Sequence, residues 1–426
     1  MASCDRAEPA GKIRLEFWTL SLRPHFDDYM NGLVAEFERR HPHIDVVWVD
    51  VPFDAIQRKF VAAAAAGRSP DVVNLSDGFF ARFSELGAFA DLTGLLPGDA
   101  DAVYHPGALR LCRLNGRLVG LPWYLVTPVM FANRRLLEEG GLTPESLARD
   151  WGELAAQARD FHRRTGKFLF MPQLGHETDL PGWILQTGLP MFAAKADGSG
   201  LSANLSDPRI VEFVERWVKD YRDGVFPRAA ATAGHAGKIE QYQLGQTATL
   251  VTGANFMQRM RDASPAVYEA SVVLPPPTWG DGGQSIDTQV LAVSSLSKHP
   301  KEAAELAWFV TSAESQLAFC RIVNILPSTP GALDDPHFAA PPAEARGTPE
   351  GRLAEARHLS AMLMRDATSW VPALSTWPAL RDAFEERIKR ALLEGRDVKQ
   401  VLGEIEREWQ SILDSAVPAG MDAIPK

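Results

Sequence analysis

Five of the 11 tryptophans, Trp18, Trp123, Trp183, Trp370 and Trp377, fall at strand ends or in predicted loops rather than on periodic core stripes. Hydrogen-bonding side chains lie near them in sequence: Tyr124 adjoins Trp123, and Asp179 opens the stretch Asp179-Leu-Pro-Gly-Trp183. Flat apolar rings beside Asp, Asn and Gln groups suit reversible recognition of a solute with an apolar C–H face and a belt of hydroxyls, as a sugar has. Trp217 and Trp308 instead lie on helix stripes and are expected in the core.

Covalent chemistry finds less to work with. The chain carries no G-x-S-x-G, G-x-G-x-x-G or H-E-x-x-H, and Gly11-Lys12, Gly166-Lys167 and Gly237-Lys238 are not followed by the Ser or Thr of a phosphate loop. His41-Pro-His43 and His176-Glu177 lack further metal ligands at fixed spacing, so solvated side chains are expected there. No metal or cofactor is therefore expected. Glycoside hydrolysis needs only two carboxylates, which an acidic chain always supplies, and it stands as the alternative from another class.

The elements that must hold these residues are legible from periodicity. Ile13, Leu15 and Phe17 alternate as a strand; Phe26, Met30, Leu33 and Phe37 mark a helix; Ile44 to Val51 is a second strand. Next comes Pro52-Phe-Asp-Ala-Ile-Gln-Arg-Lys-Phe-Val, an alanine run, Gly67, and the apolar strand Val72 to Leu75 that leads to Asp77. Ile56, Phe60 and Val61 give that helix its stripe and Gly67 its stop. Strand and helix alternate as in a parallel sheet with right-handed crossovers, and Asp77 falls just past a strand's carboxyl end, where open α/β sheets bind ligands. Asp77 also suits the N-cap of a helix starting near Phe79, and both roles can hold together.

Later segments are more helical. Leu154, Ala158 and Phe161 share a stripe, Asp207 and Pro208 open a helix, and Thr247 to Val251 and Ser271 to Leu274 read as strands. Thr288 to Val293 is a strand, with helices expected over Lys301 to Val310, Pro378 to Leu393 and Val398 to Ala416. The Pro-rich stretch from Asp334 to Gly347 is expected to be an exposed loop.

A chain of 426 residues exceeds one compact core, so two lobes are expected. The net charge of -10 argues against nucleic acid as a partner. No apolar run is long enough to span a membrane. The three cysteines, Cys4, Cys112 and Cys320, make neither a disulfide scaffold nor a metal motif, and the last two read as buried apolar residues.

The motif from Pro52 to Asp77 resembles the second βα unit of the extracellular solute-binding proteins of family 1, the maltose-binding-protein-like receptors of carbohydrate ABC importers. Gly120-Leu-Pro-Trp-Tyr-Leu-Val-Thr-Pro-Val-Met-Phe-Ala-Asn133 resembles that family's first passage between lobes. Gln246-Thr-Ala-Thr-Leu-Val-Thr-Gly-Ala-Asn-Phe256 resembles its strand, glycine and aromatic helix start, with Phe256 where Trp is common. The segment Ser285-Ile-Asp-Thr-Gln289 departs from the pair of glycines and aromatic found in many relatives.

The resemblance implies an α/β, type II periplasmic-binding-protein fold. Residues 13–126 plus 284–331 would form lobe one, and 127–283 plus 332–426 lobe two, after a flexible leader of residues 1–12, with hinges near Val126, Asp281 and Pro330. It implies a monomer that binds a di- or oligosaccharide between lobes and presents it to permease subunits of an ABC transporter, without covalent change; another solute, such as a sugar phosphate, is the alternative. The contacts it implies are Trp18, Gln57, Asp77, Trp123, Tyr124, Asp179, Trp183, Gly253, Asn255, Phe256, Asp287, Gln289, Asn324, and Trp370 or Trp377. Gly253 would let the backbone approach the ligand. Met-Ala-Ser-Cys4 resembles the end of a bacterial lipoprotein signal; Cys4 is either a lipid anchor for a periplasmic or extracellular protein or a plain thiol.

Overall fold

The strand Ile13–Leu20 buries Leu15, Phe17 and Trp18 and sits one place in from the edge of a six-stranded sheet. In a computed structural model, residues 11–416 apart from 53, 54, 115, 281, 282, 373 and 375 are described, together with residue 424. Cys4, nearly all of the expected leader and the expected hinge residue Asp281 lie outside the described residues. The chain divides into two compact units, residues up to 125 with 287–334, and 126–286 with the remainder from 335.

The sheet of the first unit runs Leu326–Pro327, Leu121–Val126, Asp287–Val293, Val72–Ser76, Ile13–Leu20, Ile44–Val51. Ile13–Leu20 is parallel to both its neighbours, as the βαβ pattern requires. Asp287–Val293, which arrives late in the chain, is antiparallel to Val72–Ser76 and places Gln289 opposite Ser76. The helix Asp27–Arg40 buries Met30, Leu33 and Phe37, with acidic residues in its first turn and arginines in its last, the arrangement its dipole favours. The helix Ile56–Ala65 buries Ile56 and Phe60, and Gly67 beyond it takes φ +64, a conformation open to glycine at little cost. Phe60 meets Phe83 at 4.8 Å, while Phe80 stacks on Phe89 at 5.4 Å. Cys112 and Cys320 are buried, as expected of small apolar residues; burial pushes both thiol pKa values up.

The second unit has a small antiparallel sheet, Thr249–Gly253, Pro128–Asn133, Ser271–Leu274, under a thick helical layer. Its helices start where capping chemistry dictates. Asp150 accepts from Gly152 N and Glu153 N ahead of Trp151–Thr165, and Asp207 accepts from Arg209 N with Pro208 at the first helical position. Arg159 and Asp220 tie two of these helices together by paired bonds of 2.6 Å. Around them lies a tryptophan cluster: Trp217 meets Trp183 at 4.6 Å, Phe226 at 5.7 Å and Trp279 at 6.1 Å, and Trp151 meets Trp183 at 5.1 Å.

Two expectations change. The first strand of that sheet begins at Thr249 rather than Thr247, because Thr247 forms an isolated parallel bridge with Phe168. The stretch from Asp334 is not a plain exposed loop. It winds into the short turns Pro336–Phe338 and Ala343–Ala345 and buries Phe338, held where Arg357 Nε donates to His337 O at 2.6 Å and the His358 ring lies 2.8 Å from Phe338 O.

Candidate ligand-binding site

In the first unit, parallel strands end where the antiparallel strand begins, so the sheet register gathers Asp77, Asp287 and Gln289 at one edge. Asp77 is the first residue of the helix Asp77–Glu85; Ser76 holds the N-cap place, so the capping role expected of Asp77 is corrected. Its Oδ1 accepts from Gly78 N at 2.7 Å. A carboxylate in a first helical turn is stabilised by the positive end of the helix dipole. Gln57, in the first turn of Ile56–Ala65, is half-buried, as are Gln289, Tyr124 and Asn324, whereas Asp287 is exposed.

Two aromatics expected at this edge belong to the interior. Trp18 is 3% exposed; its Nε1 donates to Glu16 and Lys59 Nζ lies 4.2 Å over its ring, so both its face and its donor are occupied within the unit. Trp123 is fully buried because Phe319 of the helix Ala313–Cys320 stacks on its ring at 5.4 Å and Phe17 packs beside it at 6.4 Å. Tyr124, next along the strand, packs edge-on to Phe319 and is buried enough to push its hydroxyl pKa up.

Further corrections concern the second unit. Trp183 is no open platform: it is 6% exposed and sealed among Trp151, Trp217 and Trp279. Trp377 is a core residue against Trp409. Asp179 turns its carboxylate back to Gln173 N at 2.9 Å; burial raises its pKa while Lys238 opposes the rise. A methyl group on Gly253 would lie 2.3 Å from Asn255 Oδ1 and 2.5 Å from Val126 Cγ1, so this glycine makes room for its neighbours rather than for a ligand. Trp370 is half-buried, and its buried indole N–H has no acceptor among the described residues.

Asn255 and Phe256 open the helix Phe256–Ala263 after the strand Thr249–Gly253. Asn255 Oδ1 is buried and accepts no bond among the described residues. Phe256 meets the His235 ring edge-on at 5.2 Å. His235 is a residue that motif reading passed over. Its ring lies 3.1 Å from Thr252 Oγ1 and its backbone N–H donates to Glu177 Oε2 at 2.6 Å. Glu177 takes φ 49 and is held by Glu385, which accepts its N–H at 2.8 Å and pairs with His176. Burial, with Lys238 adding to it and Glu177 opposing, pushes the His235 pKa down to about 4, so its ring is neutral at ordinary pH. A glycine just upstream, Gly234, was the available signal: a Cβ there would lie 2.2 Å from Glu177 Oε2.

The His176-Glu177 pair thus builds this network, and among the described residues no cluster of His, Cys, Asp and Glu is arranged to hold a metal. Among the described residues no helix is long and apolar enough to cross a membrane. A cavity of about 750 Å³ runs along the helix Pro208–Arg222, and none of the expected contacts lines it.

With an α/β unit that ends in polar strand edges and a helix-rich partner unit, the chain has the architecture of a type II periplasmic-binding protein. Residues 23–317 match the bacterial extracellular solute-binding protein family, and the chain belongs to it. It is similar to the crystal structure of a periplasmic-binding protein from Synechococcus sp. MITs9220, 31% identical, with a TM-score of 0.84 over 95% of this chain and 100% of that one. An arabinooligosaccharide-binding protein of Bacillus subtilis is 24% identical over 329 residues, 74% of this chain and 73% of that relative. An uncharacterized lipoprotein from Streptomyces antibioticus is 22% identical over 340 residues, 79% of this chain and 75% of that one.

Proposed function

We propose that this chain is the receptor of an ABC importer for an oligosaccharide, which it binds and releases without covalent change. The observation that carries this reading is family membership over residues 23–317, joined to a strand edge in the first unit that supplies Asp77, Asp287 and Gln289. Within the second unit, a neutral His235, Thr252, Asn255, Phe256 and Trp370 offer polar and aromatic groups of the kind a sugar needs. Arabinooligosaccharide binding by the Bacillus subtilis relative supports an oligosaccharide rather than a single sugar. In this reading sugar binding shifts the receptor towards the conformation that binds it better, and permease subunits read that ligand-bound state. Lipidation of Cys4, on the precedent of the Streptomyces antibioticus lipoprotein, would keep the receptor at the membrane surface.

Isothermal titration against arabinotriose, maltotriose and galactobiose, followed by chromatography of the sugar, tests it. Saturable binding with the sugar recovered intact is expected. Cleaved sugar overturns it in favour of a glycosidase, and silence across the panel overturns the oligosaccharide.

A further inference from the structure

Asn74 is a fully buried amide in the otherwise apolar run Val72-Val-Asn-Leu75. Burying an amide is unfavourable unless its hydrogen bonds are replaced. Its Nδ2 lies 3.2 Å from Gln289 Oε1 and 3.4 Å from Val290 O, while its Oδ1 accepts nothing among the described residues. The antiparallel register explains the reach: Asn74 faces Leu291 and Ser76 faces Gln289, so the two amides are diagonal neighbours on one face of the sheet.

The chemistry of these partners fixes both amides. A backbone carbonyl only accepts, so the side of Asn74 that meets Val290 O must be its N–H2 group. That group in turn requires the Gln289 carbonyl oxygen opposite it. Gln289 Nε2 is then turned away from Asn74, and no described residue accepts from it. A leucine at position 74 would fill the space without burying an amide oxygen that has no donor. What the amide adds is the orientation of Gln289.

The geometry points to Asn74 as a positioning residue that makes Gln289 a hydrogen-bond donor at the strand edge shared with Asp77, suited to a ligand oxygen that accepts from Gln289 while a neighbouring hydroxyl donates to Asp77. This rests on the reading of that edge as ligand-binding. Donor beside acceptor is the complement of vicinal sugar hydroxyls, each of which can do both.

The orientation is tested without ligand by hydrogen exchange of side-chain amides in full-length protein labelled with 15N-asparagine and 15N-glutamine. Slow exchange at Asn74 and fast exchange at Gln289 are expected; protection of the Gln289 amide overturns the assignment, and this needs no variant to fold. The consequence for binding is tested with N74L, Q289L and the double variant, titrated with whichever of arabinotriose, maltotriose or galactobiose the native protein binds. N74L is expected to weaken binding about 5- to 10-fold and to have no further effect in the Q289L background. An equal loss in both backgrounds marks a merely structural role and overturns the proposal. Should the native protein bind none of these sugars, the oligosaccharide reading fails while the exchange experiment still decides the orientation.

Discussion

The two units use aromatic mass in different ways. In the first, rings are spread through the sheet and its covering helices, with Trp18 over Lys59 and Trp123 against Phe319, and the polar groups gather at the strand edge. In the second, four tryptophans pack on one another between helices, and the polar groups form a network, Glu177 from a loop with His235 and Glu385 from two helices, around a strand end. A six-stranded sheet supplies its own framework through the ladder, whereas a three-stranded sheet under helices depends on side-chain packing. Rigidity in the first unit is therefore a backbone property and in the second a side-chain property.

The sharpest way to break this contrast is Trp217→Ala. Removing a fully buried ring with four aromatic neighbours in the second unit should cost about 3–5 kcal/mol. Calorimetry should show the second unit unfolding early while the first keeps its transition; a uniform shift of both would show the packing to be shared. Arg159→Met comes next, since it strands Asp220, whose side chain is 4% exposed, without its partner. About 3 kcal/mol is expected, read as a lowered urea midpoint; the partly exposed arginine puts it at the low end of such losses.

A pH series separates the units more gently. Because the folded protein holds His235 down at about 4, the unfolded chain takes up a proton first as pH falls. Stability from this group is complete above its ordinary value near 6.5 and is lost between there and about 4, at roughly 1 kcal/mol per pH unit. Urea titrations at pH 7 and pH 4.5 should show that loss in the native protein and a flatter response in His235→Gln. The smallest expected effect is Asp207→Ala, which removes the side-chain acceptor for Arg209 N and should cost about 1 kcal/mol in thermal unfolding.

Period and punctuation made most of the fold readable. The alternation at Ile13, Leu15 and Phe17 and the stop at Gly67 mark what the structure forms, and Asp207-Pro208 starts a helix as its chemistry demands. The candidate site was legible only where position in the fold decides it, as for Asp77 at a strand's carboxyl end. It was illegible for tryptophans, since sequence shows where a ring falls along an element but not whether another element covers it. Trp183 follows a loop and looks free, yet Trp151, Trp217 and Trp279 come to it from elsewhere in the chain. His235 failed for the converse reason: its partners Thr252 and Glu177 are set by tertiary contact, with no spacing to announce them.

The placement of Asp287–Val293 between Leu121–Val126 and Val72–Ser76 has a consequence for biosynthesis. On the ribosome, residues 13–126 emerge with their sheet still divided, and Val72–Ser76 keeps an open edge while the whole of 127–286 is being made. Open strand edges pair promiscuously, and long-range strand pairing is slow. A nascent chain of this design stays vulnerable to aggregation for most of its synthesis. Folding helpers that cover strand edges should therefore act before residue 293 appears, and a truncation at residue 126 should be insoluble even though it contains four of the six strands of that sheet.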